Sequence, residues 1–385
     1  MTNTKEEVNA MKKKQKRHTS FFILFFLFLI AFILCGCQQQ KSNQSPKQKE
    51  TNINQIIPLT VNENQFEKIV GWLSNNTVVY IKHQNRKNYV YSYQLETGTS
   101  ELLFKSNDPI KNVIISPNHK KVLVQTAPST YLAKLYMVDR KGKLLFSKEV
   151  KSFDLSYDWN ENNPNILAIS VFYEDWTFNV LTLDINNESL TKHNFSDPFI
   201  KWFGKNEVLF QKWDKLANET DAPLMSYSMN NPKGTKTLLN NIYQFDTFNH
   251  FLMTITLDPE NKENAMYHFY NESLIEQYSF LVPHFGQFSD GLVPYHDFII
   301  KENKFITFVP YENGSIDDNE GNFKLMEYDI LKKSENVMFD QLPNEPLSCS
   351  LNGKVCLYGF QFEKLVDVQN KKIIPLVKLE KKKEQ

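Results

Sequence analysis

The chain has 385 residues, with 44 basic and 44 acidic side chains and no net charge. A dedicated nucleic-acid binder carries a basic excess, so nucleic acid is set aside as a partner. Arg, the residue of choice for bidentate grips on phosphate, occurs only at Arg17, Arg86 and Arg140, which weighs against a phosphate-clamping enzyme. Hydrophobic residues at 41% and aromatics at 14% exclude disorder of the whole chain. The length suits two average domains or one large single-core fold.

Lys12, Lys13, Lys14, Lys16 and Arg17 form a basic cluster, followed by an apolar run from Phe21 to Leu34. Fourteen residues is short for a bilayer-spanning helix, which needs about 20. The run fits the apolar region of a secretory signal, with the basic flank staying in the cytoplasm. Its end, Leu34-Cys35-Gly36-Cys37, resembles the bacterial lipobox. That resemblance implies diacylglycerol on the Cys37 thiol, with N-acylation of the new terminus as a further step, and cleavage between Gly36 and Cys37. Cys35 would need Leu34 at its −1 position, which is too large, so it leaves with the signal. Translation begins at Met1 or at Met11.

Residues 37–55 read as a polar, flexible tether. Without residues 1–36, which carry six basic and two acidic residues, the chain keeps 38 basic and 42 acidic. Such a body does not adhere to anionic lipid by charge, so the anchor is covalent, and a diacylglyceryl group supplies the two chains that stable anchoring needs. The expected location is the outer face of a Gram-positive cell membrane.

From Ile56 to about residue 380, short runs rich in Val, Ile, Tyr, Phe and Thr alternate with Asn, Asp, Gly, Lys and Ser, as many short strands joined by turns would. One core recurs: an apolar strand, an Asn- or Gly-containing turn, a second strand. It is read at Gly71–Ile81, Ile114–Val124, Trp159–Ile169 and Trp202–Phe210, and more weakly at Thr247–Ile255, Lys301–Phe308 and Cys349–Leu357. Second hairpins follow at Tyr91–Phe104, Leu135–Phe146 and Leu325–Phe339. Two hairpins per unit, at a period near 40 to 45 residues, predict the four-stranded blades of a β-propeller. Seven cores predict seven blades, with six as the alternative. Ile56–Val61 and Ile373–Val377 are the expected closing seam.

The blade texture, with Ser116-Pro117-Asn118-His119-Lys120 before a strand, resembles the propellers of TolB and the prolyl-oligopeptidase group, although His119 replaces the usual turn Gly. With its lipobox, tether and length, the chain resembles the YqgU-like lipoproteins of Gram-positive bacteria. That resemblance implies a six-bladed propeller and no particular activity.

The chain lacks Gly-x-Ser-x-Gly, a P-loop, Gly-x-Gly-x-x-Gly and His-Glu-x-x-His, so catalytic residues stay unassigned and no cofactor is expected. His284 and His296, near Asp290 and Asp297, do not have the spacing of a defined metal site, and solvated loop groups are the better reading. The acidic loop at residues 316–322 lacks the closing Glu of a Ca²⁺ loop, so no metal is assigned there. Trp176 and Trp213 would either line a mouth that grips sugars or peptides or pack between blades, and a chain this rich in aromatics favours packing.

Cys349 and Cys356 flank Asn352-Gly353, the strongest two-residue hairpin signal. A turn there sets the two cysteines opposite each other, within disulfide reach, in a compartment that permits oxidation. A register change of one residue would turn them to opposite faces and leave two buried thiols.

The expected function is therefore a lipid-anchored, non-enzymatic binding or assembly module with a protein or cell-wall glycan partner. The rival is an enzyme, for example one acting on glycans, that uses dispersed acidic residues in the funnel. Three or more carboxylates or histidines gathered at the funnel floor would favour the enzyme. An aromatic patch at the loop edge over a bare or apolar floor would favour the binder.

Overall fold

A computed structural model describes residues 56–381 apart from residues 214–219, 231–233, 259–262, 285–292 and 314–322. The tether, Gly36, Cys37, Asp290 and the acidic loop at 316–322 lie outside the described residues.

Seven four-stranded antiparallel sheets follow one another along the chain and form the blades of a propeller ring. Blade 1 holds β2 to β5 (Phe66–Ser74, Thr77–Gln84, Lys87–Gln94, Thr99–Ser106) after a short β1 (Leu59–Asn62). Blade 2 holds β6 to β9 (Ile110–Ile115, Lys121–Ser129, Leu132–Asp139, Leu144–Lys151). Blade 3 holds β10 to β13 (Asp154–Trp159, Ile166–Phe172, Phe178–Asp184, Ser189–His193). Blade 4 holds β14 to β17 (Lys201–Phe203, Glu207–Gln211, Ala222–Ser228, Thr235–Ile242). Blade 5 holds β18 to β21 (Gln244–Phe248, Phe251–Leu257, Asn264–Asn271, Glu276–Pro283). Blade 6 holds β22 to β25 (His296–Ile299, Lys304–Pro310, Phe323–Asp329, Ser334–Leu342). Blade 7 holds β26 to β29 (Leu347–Cys349, Val355–Tyr358, Lys364–Asp367, Lys372–Pro375), and β30 (Val377–Glu380) ends the fold. The seven recurring cores of the sequence are the first hairpins of the seven blades. The three second hairpins are β4–β5, β8–β9 and β24–β25.

Burial explains the composition. A second strand is covered by neighbouring blades on both faces, so β3 buries Val78, Val79, Tyr80 and Ile81 in succession. A fourth strand lies at the rim, and β9 buries only Phe146 and Val150. The buried side chains fall into seven clusters, and each joins two adjacent blades. Leu123, Leu135 and Met137 of blade 2 meet Trp159, Leu167 and Ile169 of blade 3. Phe269 and Phe280 of blade 5 meet Phe305 and Tyr328 of blade 6.

Every blade is built from contiguous sequence, so closure uses a separate device. β1 pairs in parallel with β30, Leu59 opposite Val377 and Val61 opposite Leu379. This corrects the expected seam on its C-terminal side: Ile373 and Ile374 belong to β29, and the closing ladder starts at Val377. Leu59, Val61 and Leu376 pack into one cluster with Trp72 and Val78 of blade 1 and Leu357 and Leu365 of blade 7. The Trp72 indole also donates to the Ser348 carbonyl at 2.9 Å across the same junction.

Candidate functional site

The first strand of each blade lies toward the propeller axis, and four of these strands carry single charged residues that the ring gathers. Lys201 on β14 stands 3.0 Å from Asp246 Oδ1 on β18 and 3.8 Å from Asp158 Oδ1 on β10. The other Asp246 oxygen faces His296 Nε2 on β22 at 3.5 Å. His296 Nδ1 donates to the Pro294 carbonyl at 3.0 Å, so both ring nitrogens face acceptors and the imidazolium is favoured. Burial works against that charge, but Asp246 outweighs it and the His296 pKa is raised. Burial likewise pushes Asp246 up, yet Lys201 and His296 together hold it well below its ordinary value. Asp158 is pushed up to about 6 and Asp297 to about 6 by burial, and Glu161 to about 7 for the same reason.

Of this chain of charges the sequence singled out only His296 and Asp297, read with His284 as solvated loop groups; the structure instead places both on β22 and largely buries them. The His284 ring stands edge-on to Tyr243 in blade 5, while His296 turns to Asp246. No group of three or more potential metal ligands occurs among the described residues.

Each of these carboxylates accepts at least one hydrogen bond from the scaffold. Asp158 Oδ2 accepts from the Trp202 amide of the next blade at 2.7 Å. Asp297 takes the Phe298 amide on Oδ1 at 2.8 Å and the Cys349 amide of blade 7 on Oδ2 at 2.5 Å. Glu161 accepts from the Asn249 amide, two blades away. Similar links continue around the ring. His119 Nδ1 bonds the Trp72 carbonyl between blades 1 and 2, and Lys121 Nζ bonds Asn165 Oδ1 between blades 2 and 3. The charged residues fasten each blade to its neighbour. By number they meet the condition set for an enzyme, and each also holds a contact within the scaffold.

The other half of that condition is met at one end of the ring. In each blade the chain runs out and back twice, so the link between second and third strands emerges at the same end as the link to the next blade. The strongly exposed aromatics among the described residues are Tyr131, Phe153, Trp176, Phe199, Trp213, Tyr295, Tyr311 and Phe360. All eight lie in those two kinds of link and therefore share that end. Trp176 is 94% exposed and Trp213 43%, which corrects the expectation that both pack between blades. The link carrying Trp176 turns back through Tyr173 and Asp175, and the residue sits there at φ 64°, with its ring turned outward. Exposed aromatic rings cost hydration free energy unless something covers them.

Two clefts open on this end at consecutive blade junctions. One, of about 300 Å³, lies between blades 3 and 4 and is lined by Tyr157, Asp197, Phe199, Lys201 and Trp213, among others. The second, of about 490 Å³, lies between blades 2 and 3 beside Gln125, Thr130, Ser152 and Phe153.

Cys349 and Cys356 are directly opposed on β26 and β27, and their sulfurs are joined in a disulfide. The turn between them bonds Gly353 N to Ser350 O at 2.7 Å, with Gly353 at φ 64°. The pair sits at the far end of the hairpin from the aromatic face.

Comparison with known proteins places this architecture. An uncharacterized lipoprotein, YqgU, of Bacillus subtilis strain 168 is 23% identical over 345 residues, covering 90% of this chain and 93% of that protein. The crystal structure of an uncharacterized protein from Listeria monocytogenes EGD-e aligns with a TM-score of 0.78 at 24% identity, over 86% of this chain and 99% of that one. A prolyl endopeptidase aligns with a TM-score of 0.54 at 10% identity, over 81% of this chain and 50% of that one, a likeness of fold alone. The family model for the YqgU-like 6-bladed beta propeller domain matches residues 94–359. That span holds blades 2 to 6 whole and parts of blades 1 and 7, so the structure's seven sheets extend beyond it on both sides. With most of its ring inside that match, the chain belongs to the YqgU-like β-propeller family.

Proposed function

We propose that the protein is a lipid-anchored, extracytoplasmic binding module whose aromatic end takes a ligand or partner without chemical conversion. The observation that carries this reading is the confinement of the eight exposed aromatics to one end. Asp158 and Asp297 each accept a backbone amide of the next blade, which supports a fastening role for them. Anchoring through Cys37 follows from the lipobox, and the lipoprotein relative in Bacillus subtilis is consistent with it. A tether of residues 37–55 would hold the ring clear of the bilayer.

The test is a triple variant, Trp176→Ser, Phe199→Ser and Trp213→Ser, in the full chain. All three side chains are substantially exposed, so melting should change little. Chemical cross-links that the wild-type protein forms at the cell surface should disappear. Cross-links that persist unchanged in a folded triple variant would overturn the assignment of the binding face.

A further inference from the structure

The cleft between blades 3 and 4, at about 300 Å³, is at the small end of the roughly 300–1,000 Å³ range of small-molecule sites. Phe199 and Trp213 form its lining on the solvent side, and Phe172 backs Phe199 with ring centroids 5.8 Å apart. The wall carries hydrogen-bonding capacity that the protein does not use. Asp197 Oδ1 takes the Phe199 amide at 2.7 Å, and among the described residues no group donates to its second oxygen. Ser156 and Gln244 add a hydroxyl and a side-chain amide to the same wall.

The charges narrow the class of ligand. Asp158 and Asp197 oppose an anion in the cleft, while Lys201 opposes a cation. A neutral molecule that offers flat C–H faces to the aromatic rings and several hydroxyls to Asp197, Ser156 and Gln244 fits this lining. The neighbouring cleft repeats the arrangement. Phe153 stands in the equivalent link between blades, Tyr131 lies tilted against it at 6.5 Å, and Gln125, Ser152 and Asp154 supply polar groups. Two similar clefts at adjacent junctions suit a ligand that itself repeats.

We propose that these two clefts form a binding site for a neutral oligosaccharide, with one ring stacked on the Phe199 and Trp213 side of the first cleft. The proposal rests on the aromatic end being the binding face, and adds the class of ligand. A sugar hydroxyl would donate to the free oxygen of Asp197 while the Gln244 amide donates or accepts. Trp213 and Phe199 would cover the less polar face of the ring.

The experiment uses the full-length protein in a non-glycosidic detergent. Linear tetramers of glucose and of N-acetylglucosamine are titrated while tryptophan fluorescence and binding heat are followed, with oligogalacturonate as the anionic comparator. At least one neutral tetramer should bind, and Trp213→Ala and Asp197→Asn should each weaken it by about tenfold or more. Oligogalacturonate should bind far more weakly. No binding of either neutral tetramer, binding indifferent to both variants, or equal binding of oligogalacturonate would overturn the proposal. If the sugars fail while the triple aromatic variant still loses its surface cross-links, only the ligand class is wrong. If those cross-links also persist, the binding face is wrong as well.

Discussion

At the scale of the residue, burial moves the pKa of three carboxyls, Asp158, Asp297 and Glu161, toward neutrality. Glu161 has its pKa pushed by burial from an ordinary 4.5 to about 7, and its Oε2 accepts from the Asn249 amide. A carboxyl whose folded pKa is raised binds its proton more tightly in the fold than in the unfolded chain. Its contribution is therefore favourable at low pH and is lost as pH rises from about 4.5 toward 7. Glu161→Gln keeps an acceptor for Asn249 and removes the titration. The melting temperature of this variant relative to wild type should rise between pH 5 and pH 8, and a difference independent of pH would contradict the assignment. The cysteine pair gives a second residue-scale prediction. Mass spectrometry of the unreduced protein should find Cys349 and Cys356 without free thiols, and two alkylatable thiols would contradict it. The closed loop is short, so reduction should cost less than the ~3 kcal/mol of a 15-residue loop. The opposed pair was legible in the sequence because Cys349 and Cys356 are equidistant from Asn352-Gly353, although the turn closes from Ser350 to Gly353 and not as the expected two-residue turn. The charge chain was not. Asp158, Lys201, Asp246 and Asp297 are single charged residues in strands separated by roughly 40 to 50 residues, and only ring closure brings them together. Asp158-Trp159, Lys201-Trp202 and Asp297-Phe298 repeat a charged residue before an aromatic one, and that repetition was the available clue.

At the scale of the element, the first hairpin of every blade could be read because its second strand is buried on both faces. That burial demands continuous apolar runs such as Thr77–Ile81 and Lys304–Pro310, bounded by Asn or Gly turns. Outer strands such as Ser189–His193 bury almost nothing, so their sequences carry little pattern, and second hairpins were recognised in only three blades. His119 shows how a turn survives without its usual Gly. It holds φ 55°, a region a side chain normally avoids, and its ring bonds the Trp72 carbonyl at 2.8 Å in the neighbouring blade. The closing ladder is the element most exposed to test. Leu59 and Val61 are buried at 3% and 8% exposure. Deleting residues 56–61 removes about 3–6 kcal/mol of aliphatic burial and leaves β30 without a partner. The variant should melt several degrees lower or aggregate, as read by calorimetry and light scattering. Unchanged melting would show that blades 1 and 7 hold the ring without it.

At the scale of the whole molecule, a rigid ring separates two kinds of surface. One end presents tight turns such as Asn75-Asn76 and Asn352-Gly353, and the other presents the longer links with their exposed aromatics. The ring and its blade number could be anticipated from the sequence. The aromatic end could not, because side chains scattered from Tyr131 to Phe360 share one surface only after the blades are set in a circle. If Cys37 carries the anchor, Cys37→Ala should leave an unprocessed precursor without lipid label, and labelling that persists would contradict it. The central claim is that binding occurs at the aromatic end. The most direct measurement places a photo-crosslinking amino acid in the full chain at Trp176 or, at the opposite end, at Leu331, both exposed. On irradiation of intact cells, position 176 should give defined adducts and position 331 none. Adducts from 331 alone would contradict the claim.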